Sequence, residues 1–143
     1  MSVISLDQAR TIIAAALAKG GESSMQPLSV VVLDAGGHLK AFERQDGASI
    51  MRFQVAHGKA FGAIGLGLGS RALMNRAEQQ PYFIAAVNGA FGGALVPVPG
   101  GVLVKTADGE LVGAVGVSGD NSDNDEIAAV AGITAAGYAA VTG

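Results

Sequence analysis

The chain has two histidines, and their settings differ. His57 lies between Phe53 and Phe61 at four-residue spacing, in a run where Phe53, His57, Ala60, Phe61 and Ile64 share one helical stripe. An imidazole on an apolar helix face resists protonation. Its neutral nitrogen can then ligate haem iron or move a proton. A core or interface histidine satisfied by local partners would show the same pattern, so both readings stay open. His38 follows Gly36-Gly37 in a turn and reads as a solvated hairpin residue. A metal triad of two histidines and a carboxylate would consume both imidazoles, and their spacing gives it no support.

Arg44 is the best anion receptor. It sits at a strand end between Glu43 and Asp46, where a guanidinium can grip a carboxylate or a propionate bidentately. An intramolecular Arg–carboxylate pair holding the corner fits equally well. Lys59, one turn beyond Val55, either assists Arg44 or lies on a solvated helix face. The acidic run from Asp120 to Glu126 fails as a calcium loop, because its sixth position is Asp125 and its twelfth is Ala131. Helix capping and the helix dipole account for these carboxylates, with Glu126 left as a candidate general base. Gly116-Val117-Ser118-Gly119 is no nucleophile elbow, since Asp120 takes the position that needs glycine. The Gly62–Gly69 stretch is neither a P-loop nor a dinucleotide fingerprint. No metal site is predicted.

The elements that must position these residues follow from periodicity. Ser5 and Gln8 form a capping-box pattern ahead of Leu6, Ala9, Ile13, Ala16 and Leu17. Leu28–Leu33 is too short for a helix and reads as a central strand. Asp34 to Gly37 supplies a turn, and His38–Gln45 returns as a second strand. Ser49 can cap a helix that ends near Gly65. Ser70–Gln80 looks partly helical and exposed, and Pro81 can open a short helix over Tyr82–Val87. Phe91–Gly101 is an apolar loop, expected to lie on another surface such as a neighbouring subunit. Val102–Thr106 and Glu110–Ser118 form a second hairpin. Asp123 and Glu126 start a last helix whose inward residues are read as Ile127, Val130, Ala131 and Thr134. Strand, glycine turn, strand and helix thus occur twice, which predicts a small antiparallel sheet covered by helices.

Composition bounds the rest. At 143 residues the chain is read as one domain, 1–143, with half its residues hydrophobic and 22 glycines. A net charge of −3 without a basic stripe argues against nucleic acid as a partner. With no cysteine, disulfide and thiolate chemistry are excluded. The first residues lack a basic region followed by an apolar run, so no export signal and a cytoplasmic location are predicted. No apolar run is long enough to span a membrane.

The string VVVLDAGGHLKAFERQDGA, the Lys59-Ala60 pair, and DGELVGAVGVSG followed by acidic residues resemble the GlcG/HbpS haem-binding-like family, from about Leu28 to the end. That family also includes the C-terminal domain of some corrinoid adenosyltransferases. The resemblance implies a profilin-like α/β (α+β) fold with a central antiparallel sheet of about five strands, in the order α-β-β-α-(α)-β-β-α. It also implies homo-oligomers, expected here to be even-numbered. Some members bind haem, a secreted one is linked to haem sensing and degradation, and many sit with catabolic functions. The resemblance carries no ligand residue across; His57 rests on the helix pattern alone. Two functions remain. One is a small-ligand or haem-binding accessory protein, with iron at His57 and propionates at Arg44 or Lys59. The other is an enzyme acting on a small carboxylic or hydroxy acid. In it Arg44, with Glu43 and Asp46 beside it, orients the carboxylate, and His57 or Glu126 moves the proton.

Overall fold

A run of consecutive valines needs cover on both faces, and the fold provides it. The computed structural model describes residues 3–143. In chain order the elements are α1 (Leu6–Glu22), β1 (Ser29–Asp34), β2 (Leu39–Arg44), α2 (Arg52–Leu66), α3 (Ser70–Gln79), α4 (Pro81–Ala90), β3 (Gly101–Lys105), β4 (Leu111–Ser118), α5 (Ser122–Ala135) and β5 (Ala139–Val141). The strands form one antiparallel sheet in the order β2-β1-β4-β3-β5. The two hairpins therefore meet at the β1–β4 seam, where Ser29 opposes Ser118 and Val31 opposes Gly116.

Strand alternation sends side chains to two cores. Val30, Val32, Val102, Val104, Val115 and Val117 pack with α1 and α5. Val31, Leu33, Leu103 and Ala114 pack with Ala56, Ala60 and Ala63 of α2. The repeat seen in the sequence is thus a repeat of hairpins only: the helices that follow them, α2 and α5, lie on opposite faces of the sheet. Gly101 and Gly116 oppose each other on β3 and β4. A Cβ at either would run into the α2 backbone, at the carbonyls of Lys59 and Ala56 respectively. These two glycines let α2 lie directly on the strands.

The capping box is present: Ser5 Oγ accepts from the Gln8 amide at 3.1 Å, and Gln8 Oε1 accepts from the Ser5 amide at 2.8 Å. Other expectations are corrected. Ser49 does not cap α2, whose first turn follows Met51 without a side-chain cap; its hydroxyl instead accepts from Arg52 Nε. Asn121, not Asp123, caps α5, with its side chain accepting from the Asn124 amide. The inward stripe of α5 is Asp125, Ala128, Ala129, Gly132 and Ile133; of the expected residues Val130 packs half-buried against the core, while Ile127 is 46% exposed. Small residues face in because α5 packs closely against α1. The apolar loop packs on the chain's own α2, with Leu95 buried, while Gly92 and Gly93 stay exposed. β5 adds an edge strand that the periodicity did not show.

Candidate functional site

His57 leaves α2 in the middle of a ladder of rings. It stacks on Phe61 at 5.3 Å between centroids and 17° between planes, and it meets Phe53 at 5.7 Å and 34°. The ladder continues edge-on from Phe53 to Phe42 and from Phe61 to Phe91. The imidazole is half-buried, and desolvation lowers its pKa below the usual 6.5, which favours its neutral form. It lines a cavity of about 360 Å³ with Met51, Phe53, Gln54, Val55, Gly93, Ala94 and Val96. Ligand pockets begin at about 300 Å³. The lining is mostly apolar, with Gln54 and His57 as its polar side chains.

Lys59 lies elsewhere. It is 2% exposed, facing neither solvent nor the His57 cavity, which corrects the reading of a solvated or propionate-holding lysine. Its Nζ donates to Asp125 Oδ2 at 2.9 Å and to the Val117 carbonyl at 3.0 Å. Asp125 Oδ1 accepts from the Asp120 amide at 2.9 Å. Burial pushes the Asp125 carboxyl up and the Lys59 ammonium down, and their mutual attraction opposes both shifts. This pair joins α2 on one face to the start of α5 on the other.

Arg44 lines a different depression, of about 510 Å³, with Gly20, Gly21, Met25, Pro27, Gln45 and Asp46. Its Nη1 donates to the Ala48 carbonyl at 2.7 Å. Asp46 accompanies it there, but Glu43 is one residue along β2, where alternation turns it to the opposite face. Glu126, the expected base, accepts at both oxygens from Arg71 Nε, and Arg71 Nη2 also reaches Asp123. The two strand ends do converge on residues 26–28: Gln45 Oε1 accepts from the Leu28 amide at 2.7 Å, and Asp120 Oδ1 from the Gln26 amide at 2.9 Å. That second bond is the main cause holding the Asp120 carboxyl below its usual range. His57 is not in this cluster, so a single chain does not unite His57 with Arg44. Arg71 is the functional-looking side chain that the sequence did not single out; its helix was read as exposed, and nothing in the pattern pointed to Asp123 and Glu126.

Among the described residues no group of three or more His, Asp or Glu side chains could hold a metal ion. None of the described helices is long and apolar enough to cross a membrane.

A five-stranded antiparallel sheet clad by helices on both faces defines an α+β architecture, with an imidazole-lined apolar cavity on α2. The sequence profile of the family described as "Haem degrading protein HbpS-like" matches residues 4–134, and the chain belongs to this HbpS-like family. A crystal structure of HbpS is 29% identical, with a TM-score of 0.79, over 94% of this chain and 90% of that one. The PduOC–heme complex is 23% identical with a TM-score of 0.85, over 96% of this chain and 97% of that one. Klebsiella pneumoniae protein ORFY is 24% identical with a TM-score of 0.86, over 96% and 92%. The last two likenesses bear on the fold alone. No curated protein sequence matches this chain.

Proposed function

We propose that this protein is a ligand-binding accessory protein that takes haem, or a flat apolar ligand like it, against His57. The observation carrying this reading is an imidazole, stacked on Phe61 and partly desolvated, lining an otherwise mostly apolar cavity. Membership of a family described by haem degradation supports it. Haem would supply iron, for which a neutral imidazole nitrogen is a fitting ligand. Phe53 and Val55 would shield the ring, and Gln54 would offer a polar contact at the rim. Lys59 has no part in this reading, since Asp125 and Val117 already hold it. A second copy of the chain is the partner this reading expects.

The acid-enzyme reading has less support. Its anchor Arg44 and its proton movers His57 and Glu126 lie apart, and Glu126 is held by Arg71.

Hemin titration tests the proposal. The wild type should develop a Soret band that shifts or weakens in His57→Ala. Absence of a band in wild type removes haem, and an unchanged band in the variant removes His57 as ligand.

A further inference from the structure

Three glycines on α2, Gly58, Gly62 and Gly65, fall at i, i+4 and i+7 and form one helical stripe. The segment 91–96 lies along it. A Cβ at Gly58 would overlap the Ala94 carbonyl oxygen and come within 2.6 Å of Val96 Cγ2. One at Gly62 would meet the Leu95 side chain, and one at Gly65 would lie 2.6 Å from the Phe91 ring. The Val96 amide donates to the Gly58 carbonyl at 3.3 Å, and the Leu95 amide donates to Asn88 Oδ1 at 3.0 Å. The groove is therefore filled residue by residue, by a strap with no regular secondary structure beyond the turn at its start.

The strap touches the binding cavity directly. Gly93, Ala94 and Val96 form a wall of the His57 cavity. Phe91, at the strap's start, meets Phe61 edge-on at 5.3 Å, and Phe61 in turn stacks on His57. Gly92 and Gly93 have φ of +69° and +85°, and a Cβ at either would meet nothing within 4 Å. At Gly93 and Ala94 the wall carries little side-chain bulk, and Val96 is its one branched side chain.

We infer that the strap 91–96, seated in the glycine groove of α2, sets the width of the His57 cavity and shields the imidazole. It thereby selects thin, flat, largely apolar ligands. This rests on the His57 cavity being the binding site, but the strap's role is a property of the unliganded protein and can be read without haem. Gly93 and Ala94 in the wall leave room for a planar ring system, and Val96 bounds it. A bulky or branched ligand would have to lift the strap out of its groove, breaking the Val96–Gly58 hydrogen bond and unseating Leu95.

The test uses unliganded full-length protein and two readouts. Diethyl pyrocarbonate modification compares His57 with exposed His38 by peptide mapping, and hydrogen exchange follows the Val96 amide. Gly58→Ala removes the seat. Leu95→Ala removes the anchor and serves if the first variant does not fold. Gly89→Ala, on an exposed turn of α4 with open space around it, is the control. In either strap variant, His57 should react about fivefold faster relative to His38, and Val96 should exchange about tenfold faster, while α2 amides stay protected. The control should match wild type. Unchanged His57 reactivity in a folded strap variant refutes the shielding, and unchanged Val96 exchange refutes the seating. A wild type that takes no hemin refutes the haem reading alone and leaves both strap readouts standing.

Discussion

Lys59→Met leaves the Asp125 carboxylate buried, 1% exposed, with the Asp120 amide as its remaining hydrogen-bond donor. Removing one member of a buried pair costs about 3–5 kcal/mol, because the other charge is left uncompensated. A domain of this kind is stable by about 5–15 kcal/mol in total, so the loss is a large fraction of the whole. The pH dependence follows from the direction of the Asp125 shift. Burial already raises this carboxyl above 3.8, and Lys59 is the principal influence opposing that rise. In Lys59→Met the folded-state value climbs further. A folded carboxyl raised above its unfolded value contributes stability that is full below about 3.8 and is lost as pH rises through the folded value. The deficit against wild type should therefore be largest at pH 7–8 and shrink on acidification, as Asp125 takes a proton and becomes neutral. Urea unfolding at a series of pH values reads this directly. The double variant Lys59→Met/Asp125→Asn removes both charges and keeps an acceptor for the Asp120 amide. It should be more stable than Lys59→Met at pH 7. A deficit under about 1 kcal/mol, flat with pH and additive in the double variant, would refute the pair as an energetic unit.

Gly116→Ala puts a Cβ into the Ala56 carbonyl and 3.0 Å from the Ala60 methyl. Both neighbours are held by a helix, so it should cost about 1–3 kcal/mol or more in thermal or urea unfolding; a change within about 0.5 kcal/mol would show that α2 can lift at little cost. Light scattering should give an even multiple of the chain mass. Ile50 and Met51 are 82% and 58% exposed, and Met51 lines the His57 cavity, so an apolar surface is open there. A single-chain mass at micromolar concentration would sink the assembly.

The first four strands were legible because each announces itself locally, whereas the short β5 does not. Val30–Leu33 is a short apolar run, and Gly37 and Gly109, both at positive φ, close the two hairpins. Which face each helix covers was not legible, since a hairpin followed by a helix reads the same whichever side the helix takes. The α5 stripe went wrong for a related reason. Apolarity favours Ile127, which is exposed, and Val130, which is only half-buried against the core, but the interface with α1 accepts Ala128, Ala129 and Gly132. The buried Asp125 makes the true stripe look polar. Lys59 was misread because lysine is almost never fully buried unless paired, and its partner lies far along the chain. Its setting between Gly58 and Ala60, in a stripe with Ala56 and Ala63, was the signal available. Of the site, His57 and its rings were visible as a four-residue spacing. The cavity wall was not, because the role of Gly58, Gly62 and Gly65 depends on a segment that arrives only after two further helices.

The seam between β1 and β4 imposes an order on synthesis. Until residues 111–118 have left the ribosome, the valine-rich β1 has β2 on one side and an open hydrogen-bonding edge on the other. At about 5–20 residues per second that exposure lasts seconds. The nascent hairpin must spend them covered by α1, by α2 or by a chaperone, and the seam closes only once the second hairpin has emerged.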